Sequence, residues 1–97
     1  MKIQILTSLP QKLLGLSFKE NIKPVYYETR FGIHTFFVKK AIDVVICDDD
    51  FIVRKIVRSM KPWKVLIWNP KYKKVLELPV NYKKYSKIII GDKIDIT

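Results

Sequence analysis

Cysteine and histidine are almost absent from this 97-residue chain, which holds one of each, Cys47 and His34. An internal disulfide is therefore excluded, and so is a zinc site built on several thiolates or imidazoles. The one nucleophile–base pair those residues allow is Cys47 with His34, and neither sits in a local motif that supports it; a buried structural thiol is the ordinary reading of Cys47. Long apolar runs are missing too. Val44-Val45-Ile46-Cys47 and Ile88-Ile89-Ile90 are far short of the roughly 18 residues a membrane-spanning helix needs. The opening residues, Met1 to Thr7, are too soon interrupted by polar side chains for a secretion signal, so a cytoplasmic location is the expectation. Glycine is scarce, at three, and no glycine-rich phosphate loop is present. Acidic residues are also few: 9 against 19 basic ones, a net charge of +10.

Such an excess of positive charge favours a polyanionic partner, nucleic acid or an anionic membrane face. Nearly all of it is lysine, with Arg30, Arg54 and Arg58 the arginines. Lysine follows phosphates as a point charge but lacks the planar fork that reads guanine edges, so any such binding would be tolerant of sequence. Lysine and isoleucine enrichment also matches thermophilic amino-acid usage, which carries no functional message. A hydrophobic fraction of 48% in 97 residues is enough for one core and too little for two, so residues 1–97 are expected to form a single domain.

Alternation and β-branched residues dominate the pattern. Lys2 to Leu6 reads as a first strand, and Pro10, Leu13, Leu14 and Leu16 as a short N-terminal helix stopped near Gly15. Strands are expected from Val25 onward, over 31–39 with a bend at Gly32, and over 42–47, 51–58, 62–68, 73–78 and 93–96. Asp48-Asp49-Asp50 marks a hairpin turn, since Asp tolerates turn dihedrals and bonds nearby backbone; it lacks the spacing and glycine of a calcium loop. Residues 82–86 read as one helical turn. The sum is a mainly β, β-rich α+β domain: a small barrel or sandwich of about seven short strands with a short N-terminal helix.

Val75-Leu76-Glu77-Leu78-Pro79 followed by Gly91-Asp92-Lys93 resembles the signature of domain-of-unknown-function family 192, also called uncharacterised protein family 0127. The likeness extends over most of the chain. Gly15-Leu16-Ser17-Phe18-Lys19 is similar to the family's Gly-Leu-Met-Phe-Arg, Phe36-Phe37-Val38-Lys39 to its Phe-Trp-Met-Lys, and Ile42-Asp43 with Asp48 to its Pro-Leu-Asp strand ending in Asp. Val53-Arg54-Lys55-Ile56 and Pro62-Trp63 stand where the family has a strand and a later proline. One stretch departs: the connection from Lys39 to Asp43 is shorter than the family's by about three residues. The resemblance implies a small β-rich barrel or sandwich with a helix near the N-terminus, and it implies no reaction, cofactor or catalytic residue.

Three groups of residues are candidates for function. Lys61, Trp63, Lys64, Trp68, Lys71, Tyr72, Lys73 and Lys74 interleave cations with rings, the combination that holds single-stranded RNA or DNA by stacking and phosphate pairing. Trp63 and Trp68 are five apart, so a regular strand would send them to opposite faces and bury at least one. Phe37, Lys39, Lys40, Asp43 and Glu77 could instead line an anionic-ligand site at one end of a barrel. Asp43 and Glu77 point away from the apolar residues beside them, and as neighbours they would form a carboxylate pair able to do acid–base work. A structural role for each is the plainer reading. The chain is therefore expected to be a non-catalytic binding or structural module without cofactor or metal, its partner unnamed by the sequence.

Overall fold

The computed structural model describes residues 4–5, 24–30, 32–34 and 40–96. Seven strands run through them: β1 (Gln4–Ile5), β2 (Val25–Glu28), β3 (Ile33–His34), β4 (Ile42–Cys47), β5 (Val53–Met60), β6 (Val65–Leu66) and β7 (Lys74–Pro79). A single 3-10 turn follows at Lys83–Tyr85. Five strands make one sheet in the order β1-β2-β7-β4-β5, and β3 pairs with β6 in a second, two-stranded sheet. All pairings are antiparallel except β1 with β2. The fold is mainly β with almost no helix among the described residues. Among the described residues the larger sheet is open, with β1 and β5 at its edges, and the barrel that the strand count allows is not closed by them. The expected N-terminal helix lies outside the described residues, as does most of the strand expected over 31–39.

β4 shows why the sheet is built this way. All six of its side chains are buried, so its run of Ile, Val and Cys is apolar on both faces. A strand with two dry faces must lie in the middle of a sheet covered from both sides. One face carries Val25, Tyr27, Ile42, Val44, Ile46 and Val75 and packs against Ile33, Leu66, Trp68 and Tyr72 from the β3–β6 layer. The opposite face carries Tyr26, Val45, Cys47, Val53, Leu76 and Leu78, and is covered by Phe51 and the C-terminal residues Tyr82, Tyr85, Ile88, Ile94 and Ile96. The molecule therefore has three layers, with Leu76 and Leu78 of the Leu-Glu-Leu-Pro motif in the second core.

Turn chemistry moved several boundaries. The Asp48 carboxylate accepts from the Asp50 amide at 2.9 Å and the Ile52 amide at 3.0 Å, so the Asp triplet is a turn. Phe51 has φ 60, which holds residues 51–52 in that turn and starts β5 at Val53 rather than at 51. The strand expected over 62–68 shrinks to Val65–Leu66, because Trp63 has φ 61 and Asn69 opens a new turn in which its side chain accepts from the Lys71 amide at 3.0 Å. The strand expected over 93–96 is reduced to one bridge, Ile52 to Lys93. Gly32 does bend the chain: its φ is 120, and a Cβ there would stand 2.6 Å from the Leu66 carbonyl oxygen.

Candidate binding surface

The two carboxylates within the fold answer the question of acid–base chemistry. β4 and β7 are neighbours, with Asp43 opposite Leu78 and Val44 opposite Glu77. Directly paired residues project to the same face, so Asp43 shares the face of Leu78 while Glu77 shares that of Val44. The sheet stands between the carboxylates. They form neither an acid–base pair nor one lining of a ligand site, which corrects the expectation that grouped them.

Asp43 is a structural clamp. Two residues of β5, Arg58 and Ser59, face it where the β4–β5 register slips, a bulge that leaves the Ser59 amide without a ladder partner. Asp43 Oδ1 accepts that amide at 2.8 Å, and its Oδ2 pairs with Arg58 Nη1 at 3.1 Å. Arg58 Nη2 donates to the carbonyls of Tyr85 at 3.2 Å and of Ser86 and Ile88 at 3.4 Å. The carboxylate thus fastens the C-terminal layer to the sheet through one guanidinium.

Glu77 lies in the other core, where it accepts from the Tyr27 hydroxyl. Burial pushes its carboxyl up to about 7, against the lowering effect of that hydrogen bond. The Tyr27 hydroxyl is held well above its usual range by burial and then by the Glu77 charge. Cys47 is fully buried, and burial followed by the neighbouring Asp48 charge pushes its thiol up to about 12, the opposite of an activated nucleophile. It faces the C-terminal layer, whereas β3, which carries His34, packs over the opposite face.

The Lys/aromatic segment divides sharply. Trp68 is buried at 7% exposure and its Nε1 donates to the Tyr72 carbonyl at 2.6 Å, so it is a core residue and leaves the stacking set. Tyr72 is half-buried against the same core. Lys74 reaches Glu28 at 3.0 Å and lies 4.6 Å above the Phe51 ring, and Lys73 reaches Glu28 at 3.8 Å, so both are engaged in the fold. Lys71 is exposed and lines an open concavity of about 420 Å³ with Asp48, Asp49, Asp50, Arg54 and Tyr72, a wall too acidic for a polyanion. The exposed part of the segment also holds Lys61, Trp63 and Lys64 at the turn before β6, with Val65 and Ile67 on the outward face of that strand. Trp63, Val65 and Ile67 are 61%, 60% and 71% exposed. The sequence pointed to Trp63 but not to these aliphatic neighbours; the inward placement of Leu66 and Trp68 fixes their outward direction, and that needed the second sheet. Lys40 is exposed at the end of its short connection, and Phe37 and Lys39 lie outside the described residues.

A largely antiparallel sheet sandwiched between a two-stranded layer and an irregular C-terminal layer, with Asp43, Glu77 and Cys47 buried in it, defines a small mainly β domain with exposed apolar side chains around β6. The same fold occurs in a Novosphingobium aromaticivorans protein of unknown function, at a TM-score of 0.82 and 16% identity over 96% of this chain and 73% of that one. It occurs also in a Sinorhizobium meliloti protein described only provisionally as a transcription regulator, at 0.80 and 14% identity over 96% of this chain and 79% of that one. No family model matches the chain. Curated relatives do: members of uncharacterised protein family 0127 from Pyrococcus horikoshii, 35% identical over 102 residues, and from Pyrococcus abyssi, 38% identical over 71. The match spans 96% of this chain and 85% of the P. horikoshii relative, but 71% of this chain and 60% of the P. abyssi one. The chain belongs to uncharacterised protein family 0127.

Proposed function

We propose that this chain is a one-domain, non-catalytic binding module whose contact surface is the stretch from Lys61 to Ile67, and that it holds single-stranded RNA or DNA there without strong sequence preference. One observation carries the reading. Trp63 combines a left-handed backbone, φ 61, with 61% exposure of a large ring, between two exposed lysines. A bulky residue with positive φ costs of order 1–3 kcal/mol; Phe51 shares that backbone inside the Asp turn but is half-buried, so it is the exposure of the ring that sets Trp63 apart. A ring held out in this way offers one stacking platform, worth roughly 1–3 kcal/mol per base, with Lys61 and Lys64 beside it for phosphates. The buried positions of Asp43, Glu77 and Cys47 support a role without catalysis. The alternative of a small anionic ligand at a barrel end has less behind it, because its two carboxylates are separated by the sheet.

The experiment is a titration with an unstructured oligonucleotide at several salt concentrations. Affinity should fall log-linearly with salt, by a slope of about 0.7 per phosphate neutralised, and Trp63→Ala should weaken it about tenfold. Absence of binding at low salt, or binding indifferent to Trp63→Ala, would remove the reading.

A further inference from the structure

A second exposed apolar feature lies elsewhere, in the C-terminal layer. The Asp92 amide donates to the Ile89 carbonyl at 3.1 Å, closing a four-residue turn whose third residue, Gly91, has φ 101. The Asp92 carboxylate accepts from the Ile89 amide at 3.0 Å. The turn is also bolted to β5, with Gly91 donating to the Val53 carbonyl at 2.9 Å and Val53 to the Asp92 carbonyl at 2.8 Å. Ile89 and Ile90 stand on this rigid turn 65% and 62% exposed, while Ile88 before them packs into the core. Turns of this kind ordinarily carry polar residues or proline, and two isoleucines there keep most of their surface in water.

Exposed Lys83, Lys87 and Lys93 surround the pair in sequence. Asp92, whose carboxylate accepts from the Ile89 amide, and exposed Asp95 are the acids between residues 80 and 96, against the four lysines Lys83, Lys84, Lys87 and Lys93. Apolar side chains able to enter a bilayer interface, with exposed cations close by in the chain for anionic headgroups, combine the apolar and electrostatic terms of peripheral membrane binding. Nucleic acid would use the lysines but gain nothing from side chains with no ring to stack. We infer that the Ile89–Asp92 turn is a docking point for an anionic lipid surface, with the two isoleucines inserting and the flanking lysines pairing with headgroups. The tight anchoring of the turn means that little conformational freedom is lost on docking.

Sedimentation of the whole chain with vesicles tests this independently of the β6 surface. Vesicles of equimolar phosphatidylglycerol and phosphatidylcholine should carry the protein down, and pure phosphatidylcholine should not. Ile89→Ser/Ile90→Ser, both at exposed positions, should fold normally by circular dichroism and lose partitioning about tenfold or more. Lys87→Gln/Lys93→Gln should lose it several-fold and become less sensitive to salt, and Trp63→Ala should change nothing. Absence of binding to the anionic vesicles overturns the inference. So does undiminished binding by the double serine variant, which would leave attraction of the general positive charge as the sole cause.

Discussion

Glu77 places an acid in an apolar core with a tyrosine hydroxyl as partner, and that has a measurable cost. Its carboxyl titrates near 7 in the folded chain, above its ordinary value of 4.5. Below pH 4.5 both folded and unfolded forms are protonated and there is no penalty. Between 4.5 and 7 the unfolded chain releases its proton first, so stability falls as pH rises, and the loss is complete above 7. Glu77→Gln, which can still accept from Tyr27, should therefore match the parent at pH 4 and be more stable at pH 8 by up to about 3 kcal/mol in denaturant titrations. Equal stability of the two at both pH values would contradict the assignment. Asp43 is expected to behave oppositely on substitution: Asp43→Ala strands the Ser59 amide and the Arg58 guanidinium and should cost about 2–3 kcal/mol. Alternation alone foretold that both acids turn away from their apolar neighbours. It could not foretell that both outward faces would be covered, because the covering layers come from residues distant in sequence.

Elements shifted where local side-chain bonds or positive φ overrode β propensity. β4 was legible residue for residue, since a run of Ile, Val and Cys broken only by Asp43 and followed by three Asp leaves few choices. β5 and β6 were not: the Asp48 carboxylate takes the Ile52 amide and left-handed Phe51 shifts β5 to Val53–Met60, while left-handed Trp63 cuts β6 to two residues. The closing strand dissolved because residues 93–96 meet only the start of β5 and have one bridge to pair with. Glycines at the joints carry a graded prediction. Gly32→Ala meets both an unfavourable φ and the Leu66 carbonyl, whereas Gly91→Ala meets an unfavourable φ and open space. The second should cost of order 1–3 kcal/mol in thermal or chemical unfolding and the first distinctly more, with distortion of the β3–β6 pairing. Equal costs would mean that the close approach at Gly32 does not hold in solution.

At the scale of the whole molecule, a +10 charge is spread over a fold that pairs Asp43, Asp48 and Glu28 with its own cations, and most of the large apolar side chains exposed among the described residues fall at two places, Trp63 to Ile67 and Ile89–Ile90. The sequence singled out the Lys/aromatic segment as a region but could not divide it, because the division depends on which tryptophan the β3–β6 layer presses inward. That division has a direct optical signature: acrylamide should quench Trp63 emission readily and leave Trp68 nearly untouched. It also allows the central claim to be tested at a single residue. In a Trp68→Phe variant the remaining indole is Trp63, and its fluorescence during titration with an oligothymidylate at low salt reports contact at the proposed surface. Saturable quenching that reverses log-linearly as salt is added is the predicted result. Unchanged Trp63 emission at every oligonucleotide concentration would contradict it.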